Sequence, residues 1–230
     1  MEAILSLAQN KFSLGNQPES LLVIPFTPVK NNKLDNVYNR TIKRTVDIFL
    51  GSALVLLLFP IVIPIVAILI KLESKGPVFF VQKRTGLMKK SFYCFKFRSM
   101  VVNKNANRLE VQPNDKRITR VGYYLRKFHI DELPQLINVL NGDMSLVGPR
   151  PYMLRHTVVY SHLVKDFHDR HNVKPGLTGL AQMRGLHGII DTRESLYQRC
   201  YSDIEYIKNW SLFGDVWIFF RTLVKIASTL

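Results

Sequence analysis

Cysteine is nearly absent from this 230-residue chain: Cys94 and Cys200 stand far apart, without the close spacing of a metal site. Two such cysteines exclude a disulfide framework and fit a reducing compartment. Acid is scarce as well. Lys and Arg number 32 against 17 Asp and Glu, a formal charge of +15, which points to a polyanionic partner: nucleic acid, an anionic membrane face or phosphorylated substrates. The N-terminus lacks a basic segment followed by a long apolar run and a small-residue cleavage site, so no secretory signal is expected and the chain should stay on the synthesis side of any membrane it meets. His168 and His171 are three apart, but no third ligand with suitable spacing follows, so they read as surface or satisfied histidines.

Apolar residues are plentiful, at 47% of the chain, enough for a real core. Residues 1–40 read as a tail, with one apolar patch at Leu21–Pro28 that is either a docking strand or nothing ordered. Ile48 to Ile70 then runs without a charge, which passes the roughly 18-residue threshold for a membrane segment. A spanning helix is the default. Pro60 and Pro64 sit near its middle, however, and each removes a backbone donor and favours a kink. Both flanks are basic, Lys43 and Arg44 before and Lys71 and Lys75 after, and cations favour the cytoplasmic face. A proline-broken re-entrant helix over about 43–72 therefore fits better than a single crossing.

Between Lys71 and Ile130 there are 15 Lys or Arg and 3 acids. They alternate with aromatics in two β-like runs, Val78–Gln82 and Ser91–Phe97, with Gly86 as the turn of a hairpin. The hairpin leads into Lys96 and Arg98 near the membrane exit. Basic and aromatic interleaving also describes single-stranded nucleic-acid sites. An anionic membrane surface accounts for the same charge with fewer assumptions, and nucleic acid is not the expected partner. A helix over ITRVGYYLRKFHI then carries Arg120 and Arg126 towards a carboxylate pair, where guanidinium forks suit phosphate oxygens.

That pair, Asp131-Glu132, opens the segment around which the chain is organised. An apolar helix-like run follows, then an Asn141-Gly142 turn and a rigid Gly148-Pro149-Arg150-Pro151 corner. Asp131 as a plain helix N-cap is the simpler alternative. At a helix start the dipole would hold it ionised. The corner restricts the backbone around Arg150, so its fork is presented with little entropy to lose. Pro175, Gly176, Thr178, Gly179 and Gln182 form a loop whose glycines allow close backbone approach, either as a nucleotide or sugar pocket or as a structural turn. A helix over Glu194–Asn209 carries Asp203, and the aromatic and basic segment from Trp210 suits either a core helix or a helix lying in the membrane interface.

The ordered series KRTVD, QKRTG, KFRSM, DELPQLINVLNGDMSLVGPRP and KPGLTGLAQ, after a proline-broken apolar segment, resembles the bacterial sugar transferases, the monotopic phosphoglycosyl transferases, from about Thr41 to Leu230. The resemblance implies transfer of a sugar-1-phosphate from a UDP-sugar to a polyprenyl phosphate, a re-entrant helix and dependence on Mg²⁺. It places the nucleophile on Asp131 with Glu132 beside it, phosphate contacts on Arg150, and an acid at Asp203. Lys96, Arg98, Arg120 and Arg126 are the further phosphate-binding candidates. Asp131 can also be the metal ligand, since Mg²⁺ typically takes one or two carboxylates plus substrate phosphates. Two positions depart from the pattern: Phe59 stands where members commonly carry Ser before the proline, and Leu186 follows Gly185 where many have Arg.

The expected molecule is an α+β monotopic membrane enzyme with a re-entrant helix, a small β-hairpin region and amphipathic interface helices, in one domain from residue 41. It would sit on the cytoplasmic face of the bacterial inner membrane. A membrane-tethered basic scaffold without catalysis is the alternative. Nothing in the sequence favours monomer over dimer.

Overall fold

The structure is a computed structural model that describes residues 29–103, 111, 115–186, 188, 190 and 192–228. The apolar patch at 21–28 and Pro113 lie outside the described residues. The elements are α1 (Val37–Glu73), β1 (Phe79–Thr85), β2 (Ser91–Phe97), α2 (Arg120–Lys127), α3 (Gln135–Asn141), β3 (Ser145–Val147), α4 (Leu154–Leu163), β4 (Gly176–Thr178), α5 (Leu180–Met183), α6 (Arg193–Asn209) and α7 (Leu212–Ala227).

Helix α1 starts where the Asn36 side chain accepts from the Tyr38 N–H, and by length and composition it can cross a membrane. The sequence places a break at its prolines; the structure carries one helix through both. The burial pattern explains why. Lys43, Asp47, Gly51, Val66 and Ile70 are buried, with Leu54, Val55, Phe59, Val62 and Ile63 packed on the core between them. Steps of three and four put these on one face. Pro60 and Pro64 lie on the exposed face, where the missing donors favour a bend concave towards the domain and leave the inner contacts intact. The exposed face carries Phe49, Leu56, Leu57, Ile61, Ile65 and Leu72.

Both ends of α1 are fastened to the same body. Arg44 donates from Nη2 to the Leu140 carbonyl at 2.7 Å, and Asp47 Oδ1 accepts from the Leu146 N–H at 2.9 Å. At the other end Glu73 accepts from the backbone N–H groups of Arg120 and Val121 at 2.6 and 2.9 Å, anchoring the start of α2.

The hairpin forms as the alternating aromatics predict, β1 antiparallel to β2 from Phe79↔Phe97 to Thr85↔Ser91. Strands β3 and β4 pair in parallel. The main core joins Leu136, Val139, Met144 and Leu146 to Ile207, Trp210 and Ile218, and includes Val29 and Leu34. Residues 29–36, placed in the tail by composition, thus belong to the packed domain. A second core, around Tyr152, Tyr160, Phe167 and Leu196, holds α4 against α6. Helix α7 buries Asp215 and Ile218 inward and exposes Phe213, Val216, Trp217, Phe220, Leu223 and Val224 outward at helical spacing. An apolar outer face of that kind suits an interface helix.

Candidate active site

His129 adopts a left-handed conformation (φ 56°) and turns the chain out of α2 into a three-residue 3₁₀ turn, Ile130–Glu132. Histidine is among the residues that tolerate this conformation. Pro134 then starts α3, where its missing N–H costs no helical bond. In a 3₁₀ turn successive side chains point about 120° apart, so Asp131 and Glu132 face different partners.

Glu132 is committed to two cations. Arg150 meets it as a fork, Nη1 to Oε2 at 3.0 Å and Nη2 to Oε1 at 2.6 Å, and Lys96 Nζ also donates to Oε1. Burial works against the Glu132 charge, yet Arg150 and Lys96 outweigh it and hold the carboxyl well below the ordinary range. Asp131 is as deeply placed, 5% exposed, but among the described residues its carboxylate makes no hydrogen bond. Burial pushes its pKa up, Lys96 pulls it down, and Glu132 pushes it up again. The simpler alternative, Asp131 as a helix N-cap held ionised by the dipole, is therefore not what forms: the N-cap of α3 is Pro134, and Asp131 caps neither α3 nor the 3₁₀ turn.

Two cavities meet at this residue. The first, about 420 Å³, is lined by Arg98, Arg117 and Arg199 together with aromatic side chains of α4. The second, about 360 Å³, is walled by Leu54 and Leu58 of α1 and by Phe219 and Leu223 of α7. Lys96, Arg126, Asp131 and Arg150 line both.

The other expected residues fare differently. Arg126 lies at the junction, with Nη1 3.3 Å from Ser99 Oγ. Arg98 lines the first cavity but donates to the Lys75 and Ser74 carbonyls at 2.8 and 2.7 Å, closing the C-terminus of α1. Arg120 is exposed at the first position of α2 and lines neither cavity. Thr178 and Gln182 reach the apolar cavity, and Thr178 Oγ1 lies 2.6 Å from Thr222 Oγ1 of α7. Gly176 and Gly179 serve chain packing: a Cβ on Gly176 would stand 2.1 Å from Gly148 N, and one on Gly179 2.1 Å from Gly148 O. Pro175 completes that crossing, its carbonyl accepting from Ser145 N–H at 2.8 Å. Asp203 is buried away from both cavities in an ion pair with Arg170, 2.7 Å. Arg170 Nη2 also donates to the Arg150 carbonyl at 2.7 Å, so Asp203 supports the Arg150 corner from behind.

Arg84, Arg170 and Arg199 have places here that spacing alone did not reveal. Arg84, inside the QKRTG run, crosses from β1 to donate to the Pro151 carbonyl. The histidines read as surface or satisfied side chains are neither in full: His171 is buried, the Nδ1 atoms of His168 and His171 have no hydrogen-bond partner among the described residues, and burial pushes the His171 pKa down to about 3.

The groups that would hold a magnesium ion can be tested against this donor set. Among the described residues no cluster of three or more His, Cys, Asp or Glu side chains forms a metal cage. One uncommitted carboxylate, Asp131, suits a cation that takes most of its ligands from water and substrate phosphates. The residues fit on that basis.

A buried carboxylate between a cation-lined cavity and a largely apolar one thus lies beside a helix long and apolar enough to cross a membrane. The chain belongs to the bacterial sugar transferase family, whose pattern matches residues 38–229. It is 43% identical over 213 residues to UDP-glucose:undecaprenyl-phosphate glucose-1-phosphate transferase of Escherichia coli (strain K12), covering 92% of this chain and 46% of that protein. The Caulobacter vibrioides protein of the same name is 40% identical over 229 residues, 99% of this chain and 84% of that one. UDP-N-acetylgalactosamine-undecaprenyl-phosphate N-acetylgalactosaminephosphotransferase of Aeromonas hydrophila is 43% identical over 186 residues, 80% and 43% of the two chains. The chain thus spans about half the length of the Escherichia coli relative.

Proposed function

We propose that the protein transfers a sugar-1-phosphate from a UDP-sugar to undecaprenyl phosphate and releases UMP, the first membrane step of an exopolysaccharide, capsule, O-antigen or glycoconjugate. The observation that carries this reading is the convergence of a cation-lined and an apolar cavity on Asp131. A soluble, charged donor fits the first and a lipid-borne acceptor the second. The names of the relatives support the same substrate classes. A non-catalytic scaffold would give no reason for a buried, uncommitted carboxylate among Lys96, Arg126 and Arg150.

In this mechanism an Asp131 carboxylate oxygen attacks the β-phosphorus of the donor. The bond from that phosphorus to the bridging oxygen breaks, and its electron pair leaves with UMP. An aspartyl phosphosugar remains. A phosphate oxygen of the acceptor then attacks the same phosphorus and expels the Asp131 carboxylate, giving the polyprenyl diphosphosugar. Splitting the transfer lets two bulky anions use one site in turn. Arg150, fixed by Glu132 and by the Arg170 bond to its carbonyl, presents its charge without reorganising, and Lys96 and Arg126 complete the anion-facing wall. Mg²⁺ bound by Asp131 and the donor phosphates would supply charge neutralisation at the diphosphate.

Helix α1 embeds in the bilayer without crossing it, in the re-entrant sense, and α7 lies in the headgroup layer at the cytoplasmic face of the inner membrane. What supports this seating is that both ends of α1 are fastened to one domain and both are basic. The test of the activity is Mg²⁺-dependent UMP release from a panel of UDP-sugars, with abolition in Asp131→Asn. Mass spectrometry of protein incubated with donor alone should find one phosphosugar on Asp131. UMP release undiminished in Asp131→Asn overturns the nucleophile.

A further inference from the structure

Behind the Arg150 corner the buried charges of the described residues do not balance. Arg170 and Arg199 are 2% and 4% exposed, and Asp203, 2% exposed, is the carboxylate between them. Asp203 is ion-paired to Arg170 at 2.7 Å, and the Arg170 guanidinium also stacks on the Tyr152 ring, 4.1 Å from its centre. Arg199, one helical turn before Asp203 on α6, is left with two long contacts. Its Nη1 lies 3.4 Å from Tyr152 Oη and its Nη2 3.3 Å from the Gly188 carbonyl, while its Nε has no partner. Among the described residues no carboxylate is within ion-pair distance of Arg199.

A buried cation is costly unless an anion and hydrogen bonds compensate it. Arg199 is nevertheless not sealed in apolar packing: it lines the same cation-rich cavity as Asp131. The aromatic wall beside it is built by Tyr152, His156 and Tyr160, with the His156 and Tyr160 rings 5.5 Å apart and the Tyr152 and Tyr160 rings 5.2 Å apart. Guanidinium groups match phosphate oxygens as a fork, and aromatic faces accept a nucleobase of any kind.

We infer that the part of this cavity lined by Arg199 is a nucleoside monophosphate subsite, in which Arg199 faces the phosphate that stays with the nucleoside and the His156 ring, backed by Tyr160, lies against the base. The inference rests on the donor reading above and deepens it. When the sugar phosphate passes to Asp131, the departing UMP keeps its α-phosphate, and Arg199 is a cation of this cavity, buried without a carboxylate partner among the described residues, that can receive it.

The test measures UMP binding by calorimetry, and initial rates with UDP-glucose or whichever UDP-sugar is turned over, for the full chain and Arg199→Gln. The dissociation constant for UMP and the KM for donor should each rise about tenfold or more, the loss expected for one charge-assisted contact, with a smaller change in kcat and none in the KM for polyprenyl phosphate. Arg199→Lys, which keeps the charge and loses the fork, should fall between and carries the same readouts if the Gln variant does not fold. UMP affinity within twofold of the unaltered protein in a folded Gln or Lys variant overturns the subsite. An unaltered protein that binds UMP but releases none from any UDP-sugar would instead sink the activity reading and leave the subsite standing.

Discussion

Lys43 Nζ and Asp215 Oδ2 lie 2.6 Å apart, although 172 positions separate them in the chain. Asp215 also accepts from Tyr206 Oη at 2.8 Å and Trp210 Nε1 at 3.0 Å, while Lys43 donates a second time to the Val147 carbonyl at 2.9 Å. This cluster ties α1, the end of α6, the first turn of α7 and the strand just before the Arg150 corner into one unit. The two helices it joins are the walls of the apolar cavity.

Removing one member leaves the others buried and uncompensated. Asp215→Ala and Lys43→Ala are each expected to lose about 3–5 kcal/mol of stability, the usual result of breaking a buried pair from one side. Replacing both with Lys43→Met and Asp215→Leu should recover most of that loss. Urea unfolding of the detergent-solubilised protein measures it. Single variants within about 0.5 kcal/mol of the unaltered protein, the ordinary range of surface substitutions, would show that the cluster does not hold the helices.

Glu132 and Asp131 are predicted to separate in their effect on pH dependence. Glu132 raises the Asp131 pKa and also occupies Arg150 and Lys96, both of which lower it. In Glu132→Gln the repulsion is gone and the two cations are released, so the acid limb of the rate profile should move to lower pH. The maximal rate should fall, by about tenfold or more, because Arg150 loses the fork that orients it. Single-turnover UMP release across pH 4–8 is the measurement. An acid limb displaced upward would contradict the electrostatic relation between the two carboxyls.

Much of this arrangement is legible in the sequence because its signals are local. Alternating aromatics around Gly86 gave the hairpin, and the Asn141-Gly142 pair marked the end of α3, with Gly142 at φ 87°. What was hidden depends on contacts distant in sequence. Pro60 and Pro64 read as a break, but whether a proline interrupts a helix depends on which side faces the domain. Gly176 and Gly179 read from the sequence as glycines of either a nucleotide or sugar pocket or a structural turn, and the backbone that approaches them is Gly148 of the Arg150 corner. Arg98 sits in a run of basic residues that looks ready for phosphate, and only the end of α1, packed beside it, makes it a helix cap. Arg199 carried one local sign, an acid four residues on. That sign suggests an ion pair, whereas Arg170, from another segment, holds the acid.

Acid should weaken the fold before it protonates Glu132. Burial lowers the His171 pKa to about 3 and that of half-buried His168 to about 4, with Arg170 and Lys89 adding repulsion around them. Below about 6.5 the unfolded chain takes up these protons while the folded one does not, so stability falls as pH drops from 6.5 towards the folded values. For His171 alone the loss at pH 5 is about 2 kcal/mol. The Glu132 contribution has the depressed-carboxyl sign, present above the ordinary carboxylate range and lost below it, so it does not act in the upper part of this window. His171→Leu should flatten the profile between pH 6.5 and 5, read by urea unfolding at each pH; an unchanged slope would place the acid sensitivity elsewhere.

Gly176 and Gly188 offer a paired test of how the site loops are held. A Cβ on Gly176 would stand 2.1 Å from Gly148 N and 2.3 Å from Thr178 O, all backbone, with no flexible side chain to move aside. Gly176→Ala must push β4 away from β3 and displace the corner that carries Arg150. A cost of about 3 kcal/mol or more is expected, at the upper end of overpacking effects, along with loss of UMP release. Gly188 has open space around it and a φ of +91°, so Gly188→Ala is strained only through its backbone, by about 1–2 kcal/mol. Thermal unfolding of the two variants should therefore rank them clearly. Equal stability would mean that the β3–β4 crossing is looser than these contacts require, and that Arg150 owes its position to Glu132 and Arg170 alone.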